Sequence, residues 1–213
     1  PTLDYIVVKM PKWPFDKFAD ASRKLGTQMK ATGEVMAIAP SFEMALMKAV
    51  RGAEVGLDSL NRKNDPEDHA PIWERLRRVD DHRLFTIFEA LKSGTSIDEI
   101  FSITRIDRWF LAKLKKMAYF EKALEADGLT PEHYETGKKL GYPDETLKRL
   151  SGAEALPCDS KTAVYKMVDT CGAEFDAETP YFYSTFDKFC ESRTFPRSGK
   201  PVIMVLGSGP IRI

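Results

Sequence analysis

The stretch from residue 57 to about residue 159 limits the fold most, because its apolar residues recur at helical spacing throughout. We predict short helices, joined by few residues, in PIWERLRRV, HRLFTIFEALKSG, SIDEIFSIT, DRWFLAKLKKMAYFEKALEA, PEHYETGKKLG and PDETLKRLSG. The polar segment DSLNRKNDPEDHAP before them is predicted to be a linker. The middle of the chain is therefore predicted to be an all-α domain.

Residues that favour helix ends support this prediction. Ser96 and Glu99 have the spacing of a capping box, and Pro131 after Thr130 suits the first position of a helix. Three glycines are expected to end helices: Gly94, Gly128 and Gly141. In the longest segment the spacing predicts one apolar stripe made of Ile106, Trp109, Phe110, Leu114, Met117, Phe120 and Leu124.

The first 57 residues have a different, alternating pattern. YIVVKM and GEVMAIA are predicted to be strands, and PFDKFADASRKLG between them a short helix or a loop. SFEMALMKAVRGAEVG predicts a helix with Ser41 as its N-cap and Gly56 as its end. Because two strands do not make an independent sheet, we expect this segment to be the end of a larger α/β domain.

The C-terminal part is rich in aromatic residues and poor in periodic patterns. Residues 161–198 predict short extended segments, whose aromatic side chains need a surface to cover: Tyr181, Phe182, Tyr183 and Phe186. The last residues, KPVIMVLGSGPIRI, predict a buried strand over 202–206 that enters a glycine turn. Such a turn usually leads into an anion-binding helix, and none follows, so we expect a piece of a longer protein.

Charge and composition argue against several classes of protein. The 32 Lys and Arg residues balance the 32 Asp and Glu residues, which removes the long-range field of a dedicated nucleic-acid binder. No apolar run approaches the roughly 20 residues that cross a bilayer, so no membrane partner is expected. Three cysteines without CxxC spacing favour a reduced, cytoplasmic protein: Cys158, Cys171 and Cys190.

Catalytic motifs are weak in this sequence. The histidines lack metal-ligand spacing and are expected at the surface or at helix ends: His69, His82 and His133. Two carboxylate pairs stand at predicted helix starts, where the helix dipole favours negative charge: Asp98 with Glu99, and Asp144 with Glu145. Cys171 has no neighbouring histidine and is predicted to be a buried thiol. The GSGP turn is too short a match for a nucleotide site.

One alternative is a helix-turn-helix nucleic-acid module in FEALKSGTSIDEIFSITRIDRWFLAKLKKM. Lys113, Lys115 and Lys116 would then meet the phosphate backbone. The zero net charge and the acidic side chains of Asp98 and Asp107 favour instead an ordinary amphipathic helix with a solvated lysine face.

Four blocks of the sequence resemble a known family. LGTQMKATGEVMAIAPSFEMALMKAVRG (25–52), IDRWFLAKL (106–114), YKMVDTCGAEF (165–175) and VIMVLGSGPIRI (202–213) closely resemble, in this order, the middle of the large chain of carbamoyl-phosphate synthetase. That family has two ATP-grasp halves separated by a helical oligomerisation domain. The resemblance implies a mainly α chain: the end of the first ATP-grasp domain (1–57), the oligomerisation domain (58–200) and the first strand and glycine turn of the second half (201–213).

The resemblance also implies a role. The segment would be a non-catalytic scaffold that self-associates, within a ligase that makes carbamoyl phosphate from bicarbonate, two ATP and ammonia from a glutaminase small subunit, for arginine and pyrimidine synthesis. ATP and Mg²⁺ or Mn²⁺ would bind elsewhere in that enzyme, so this segment is expected to be inactive, with no catalytic, cofactor or metal residue. The family carries carbamate between its active sites, and three residues match positions that line the passage: Met29, Thr32 and Arg212.

Overall fold

The computed structural model describes residues 1–62, 69–194, 198–205 and 207, and the backbone of 211–212. Near the N-terminus, strand β1 (Ile6–Lys12) pairs antiparallel with strand β2 (Gly33–Ala39), with Ile6 opposite Ala39 and Lys12 opposite Gly33. The segment between them contains turns and no helix. Helix α1 (Phe42–Gly52) covers one face of this pair, and its first turn is capped by the Ser41 hydroxyl, which accepts a hydrogen bond from Met44 N–H.

The six helices predicted for the middle of the chain are confirmed. They are α2 (Ile72–Arg77), α3 (Arg83–Lys92), α4 (Ile97–Thr104), α5 (Arg108–Asp127), α6 (Pro131–Leu140) and α7 (Asp144–Ser151). Both halves of the capping box between Ser96 and Glu99 are present. The Thr130 hydroxyl accepts from His133 N–H at the start of α6, and Gly141 ends that helix with a left-handed φ of +92°.

Two details of these helices differ from the prediction. Helix α1 ends at Gly52 and not at Gly56, because Glu54 adopts a left-handed φ of +55° that a helix cannot continue. The buried side chains of α5 include Phe120, as predicted, and the full set is Leu111, Leu114, Met117, Ala118, Phe120, Glu121 and Leu124. Trp109 and Phe110, which were assigned to that stripe, lie in the first turn and remain about half exposed.

One hydrophobic core joins α1 and the helices that follow it. Met10 of β1, Val50 of α1 and Leu147 of α7 belong to the same cluster of buried side chains, and Leu60 between α1 and α2 is fully buried in it. The side chain of Asp58 also reaches α7, where it accepts hydrogen bonds from Thr146 Oγ1 (2.8 Å) and from the Arg149 guanidinium (2.6 Å). The core therefore runs across the domain boundary predicted between residues 57 and 58. The assignment of residues 1–57 to a separate ATP-grasp domain remains a prediction.

The predicted extended segments of the aromatic-rich region form a second small sheet. Strand β3 (Val164–Met167) pairs antiparallel with strand β4 (Phe182–Thr185), with Tyr165 opposite Ser184. Tyr183 is buried, while Tyr181 is largely exposed, so the four aromatics of this region do not share one surface. Cys171 is half-buried, which corrects the prediction of a buried thiol.

The strand predicted over 202–206 is wrong in its described part. Residues 202–205 have no strand structure and their apolar side chains are almost fully exposed. A strand requires a partner edge, and these residues pair with none in the part of the chain that the structure describes. Instead, strand β5 (Ile211–Arg212) pairs antiparallel with Gly33 and Glu34 of β2. The predicted turn at 207–209 falls mostly outside the described residues.

Candidate functional site

Two of the three residues matched to a carbamate passage, Thr32 and Arg212, lie at one end of the first sheet. Arg212 is opposite Gly33 in the pairing of β5 with β2, so Thr32 is one residue away from this pair. Thr32 N–H donates to the Lys12 carbonyl (2.9 Å). Met29 precedes them in the loop and is 70% exposed, so it is not a core methionine. The structure thus places Thr32 beside the backbone of Arg212, and the passage itself stays a prediction.

The predicted roles of the histidines agree with their surroundings. The His133 ring lies 2.6 Å from the Gly128 carbonyl at the junction of α5 and α6, and His69 is exposed. The Nε2 atom of His82 lies 2.6 Å from a guanidinium nitrogen of Arg23. Burial lowers the pKa of His82, although the negative charge of Asp81 acts in the opposite direction. Across the described residues, no group of three His, Cys, Asp or Glu side chains could hold a metal ion.

The carboxylates at helix starts make structural contacts. Asp98 accepts from Arg108 Nε (2.8 Å), and Glu99 accepts from Ser96 N–H (2.8 Å) in the capping box. Burial would raise the pKa of Asp144, but hydrogen bonds from Lys138, Ser160 and Tyr134 lower it below its usual range. These contacts support the prediction that the carboxylates stabilise helix ends.

The lysines of the helix-turn-helix alternative have partners within the fold. Lys113 Nζ and Lys116 Nζ lie 3.6 and 3.3 Å from Oε1 of Glu43, a carboxylate that is almost fully buried on α1. Lys115 Nζ lies 5.1 Å from the centre of the Tyr119 ring. Glu43 partly neutralises the lysine face, which leaves less positive charge for a phosphate backbone.

Exposed aromatic side chains form a first surface patch at the start of α5. The rings of Phe42, Trp109 and Phe110 meet edge to face, with centroids 5.0 to 5.5 Å apart. Trp109 and Phe110 are 48% and 44% exposed, and Lys113 Nζ lies 5.2 Å from the Trp109 ring centre. We call these three aromatic residues the α5 patch. Sequence periodicity had placed two of them in the core stripe.

A second patch lies on α2 and at its end. Trp73 is 50% exposed, and the Arg77 guanidinium stacks 4.8 Å from its ring centre. Val79 follows the helix and is also exposed. We call Trp73, Arg77 and Val79 the α2 patch. Tryptophan and arginine dominate the energetics of many protein interfaces, so both patches are candidate association surfaces.

Comparison with known proteins identifies the family. A model described as the oligomerisation domain of the carbamoyl-phosphate synthetase large chain matches residues 34–167. The chain belongs to this family. Proteins named carbamoyl phosphate synthase large chain from Lachnoclostridium phytofermentans, Methanothrix thermoacetophila and Methanosarcina barkeri are 47%, 45% and 42% identical to it over its whole length. The chain spans about a fifth of the length of these relatives.

The part that matches the oligomerisation domain includes helices α1 to α7 and most of β2, and it ends with β3. Both aromatic patches lie inside it, because their residues fall between Phe42 and Phe110 and the match covers residues 34–167. No helix in the described residues is both long enough and apolar enough to span a bilayer. The oligomerisation-domain family is thus recognised over the helices that present exposed aromatic side chains.

Proposed function

We propose that this chain is the non-catalytic, self-associating scaffold of a carbamoyl-phosphate synthetase large chain. The observation that carries the proposal is that the oligomerisation-domain match contains both aromatic patches. Half-exposed tryptophans lose water contact when two copies meet, and this burial is the main favourable contribution to association. In a symmetric dimer one patch can meet its own copy, so a single patch suffices.

We further propose that the longer enzyme is a cytoplasmic ligase. It would use bicarbonate, two ATP and ammonia from a glutaminase subunit to make carbamoyl phosphate for arginine and pyrimidine synthesis. Residues 1–57 would end its first ATP-grasp domain, and 201–213 would open its second half. Phosphoryl transfer requires Mg²⁺ or Mn²⁺ and cationic groups around the phosphates, which we place outside this segment. The names of the relatives, and the fifth of their length that the chain covers, support this.

Self-association is tested by sedimentation velocity over about a hundredfold range of concentration, since dimerisation depends on concentration by mass action. We expect a reversible shift from one copy to two. Trp73→Ala, or the double change Trp109→Ala and Phe110→Ala, is expected to raise the dissociation constant at least about thirtyfold, because losing a central aromatic side chain costs about 2 kcal/mol or more.

Tyr119 supplies a matched control, because it is an exposed aromatic on α5 outside both patches. Tyr119→Ala should leave the dissociation constant within about twofold, as expected for a residue outside the contact. The patch whose variant weakens the dimer is the contact. A chain that stays monomeric at every concentration would contradict the proposal, and a dimer that neither patch variant weakens would contradict the assignment of the contact.

We also propose that Met29, Thr32 and Arg212 line a carbamate passage in the longer enzyme. Their support is the family membership and the proximity of Thr32 to the Arg212 backbone. Thr32→Trp in that enzyme is expected to lower the amount of carbamoyl phosphate formed per ATP hydrolysed, because a bulky side chain would block transfer. Tyr119→Trp, at an exposed site, should leave this ratio unchanged. An unchanged ratio in Thr32→Trp would contradict the proposal.

A further inference from the structure

A shallow cavity of about 440 Å³, wide open to solvent, lies between α1, β2 and β4. Its lining combines the cations Lys48 and Arg51 with residues of β2 and β4. Lys48 and Arg51 are three residues apart on α1 and therefore lie on the same side of the helix. No carboxylate is among the lining residues, so the cavity holds two cations without an anionic partner in its wall.

Lys48 joins the edges of the two sheets at this cavity. Its ammonium donates to the Ile38 carbonyl of β2 (2.9 Å) and to the Ser184 carbonyl of β4. An ammonium has three donors, so one remains for a ligand. Arg51 donates through Nη1 to the Gly141 carbonyl (2.8 Å), and its other guanidinium donors have no hydrogen-bond partner within the described residues.

The edge of β2 adds backbone donors to the same wall. Because Ile38 offers its carbonyl to Lys48 at this edge, the alternation of a strand turns the N–H groups of Ile38 and Met36 to it as well. Cationic side chains and backbone N–H groups are donors that proteins use for oxyanions.

Burial disfavours the charged form of both side chains. Burial, and then the nearby charge of Arg51, lower the pKa of Lys48 to about 8. Burial also lowers the pKa of Arg51, although the charge of Asp58 opposes this. Asp58 is itself hydrogen-bonded to Thr146 and Arg149. A bound oxyanion would compensate both cations and raise both pKa values.

We propose that this cavity binds a phosphate group, free or carried by a small organic molecule, between Lys48, Arg51 and the edge of β2. The planar guanidinium can give two parallel hydrogen bonds to two oxygens of one phosphate, and the ammonium can give a third. The cavity is larger than a phosphate ion, and Val35 and Phe182 provide apolar wall for an attached organic group. This site is separate from the self-association surface and does not depend on the proposed function.

The test measures how fast acetic anhydride acylates individual lysines, read by peptide mass spectrometry. At about 20 mM inorganic phosphate, compared with chloride at the same ionic strength, we expect the rate at Lys48 to fall at least about fivefold, because the bound anion occupies the amine. Lys138, a more buried lysine bonded to Asp144 (2.6 Å), serves as internal control and should keep its rate. Phenyl phosphate in place of inorganic phosphate shows whether an attached ring strengthens binding.

The variant Arg51→Gln should abolish the protection of Lys48. Arg149→Gln, which removes a cation bonded to Asp58 outside this cavity, should retain it. If Arg51→Gln does not fold, the comparison of Lys48 with Lys138 in the unmodified chain still decides. Protection of Lys48 by either phosphate compound, without protection of Lys138, supports the site. Equal rates with phosphate and chloride, or equal protection of both lysines, overturn it.

Discussion

Replacing Glu121 by glutamine is expected to lower the free energy of unfolding by about 3–5 kcal/mol, the usual cost of breaking a buried ion pair on one side. Glu121 is fully buried on α5 and accepts from three donors. Lys92 Nζ (2.9 Å) and Asn61 Nδ2 (2.6 Å) donate to Oε2, and the Tyr142 hydroxyl (2.9 Å) donates to Oε1. A glutamine has one acceptor oxygen, so its amino group would face a donor and leave it unpaired.

Glu125→Gln is the matched control for this change. Glu125 lies one turn later on α5, also accepts from Lys92 (2.8 Å), and is 46% exposed. Its replacement is expected to cost about 1 kcal/mol or less, because water can replace the lost contact. Urea unfolding followed by circular dichroism measures both variants. Equal losses of stability would show that burial of Glu121 is not the cause.

Gly141→Ala is the second change with a large expected effect, a loss of about 2–4 kcal/mol. Gly141 has a φ of +92°, and a Cβ built there would lie 2.9 Å from the Met44 Cα of α1. Backbone cannot move aside as a side chain can, so α1 and the end of α6 would have to separate. That shift would also disturb the hydrogen bond from Arg51 to the Gly141 carbonyl.

Gly152→Ala separates the backbone strain from the steric clash. Gly152 also ends a helix with a positive φ, +71°, but a Cβ there meets no atom within 4 Å. We expect the free energy of unfolding to fall by about 1–2 kcal/mol, which is the cost of the left-handed backbone conformation alone. Thermal unfolding of both variants gives the difference. If Gly141→Ala costs no more than Gly152→Ala, the close approach of α1 to α6 does not hold in solution.

Helices were predictable from the sequence because their signals are local. The capping residue Ser96, the glycine stop at Gly141 and the apolar spacing of α5 lie within one or two turns of the feature that they predict. The predicted strand is absent from its described part, residues 202–205, because a strand depends on a distant partner edge. Local spacing could not show that Trp109 stays about half exposed, because burial depends on which elements pack against that end of α5.

The candidate sites were predictable only in part. Helical spacing puts Glu121 on the same face of α5 as Met117 and Leu124. It could not show the three donors that satisfy this carboxylate, because they come from residues 61, 92 and 142, which are far apart in sequence. Likewise, Lys48 and Arg51 could be placed on one side of α1, but only the fold brings β4 against that side. The self-association that the resemblance implies makes exposed aromatic residues such as Trp73 and Trp109 candidates for the contact, but the composition of each patch depends on which helices are neighbours.

The pairing of β1 with β2 bears on how this domain could be excised. The matched region starts at Glu34, one residue into β2, and stops with β3, so a piece cut at those limits would keep β2 without β1 and β3 without β4. Each remaining strand would expose a bare edge to other molecules. Lys48 would also lose the Ser184 carbonyl. The segment that matches the sequence family, residues 34–167, is therefore shorter than the segment that contains every strand of the two sheets.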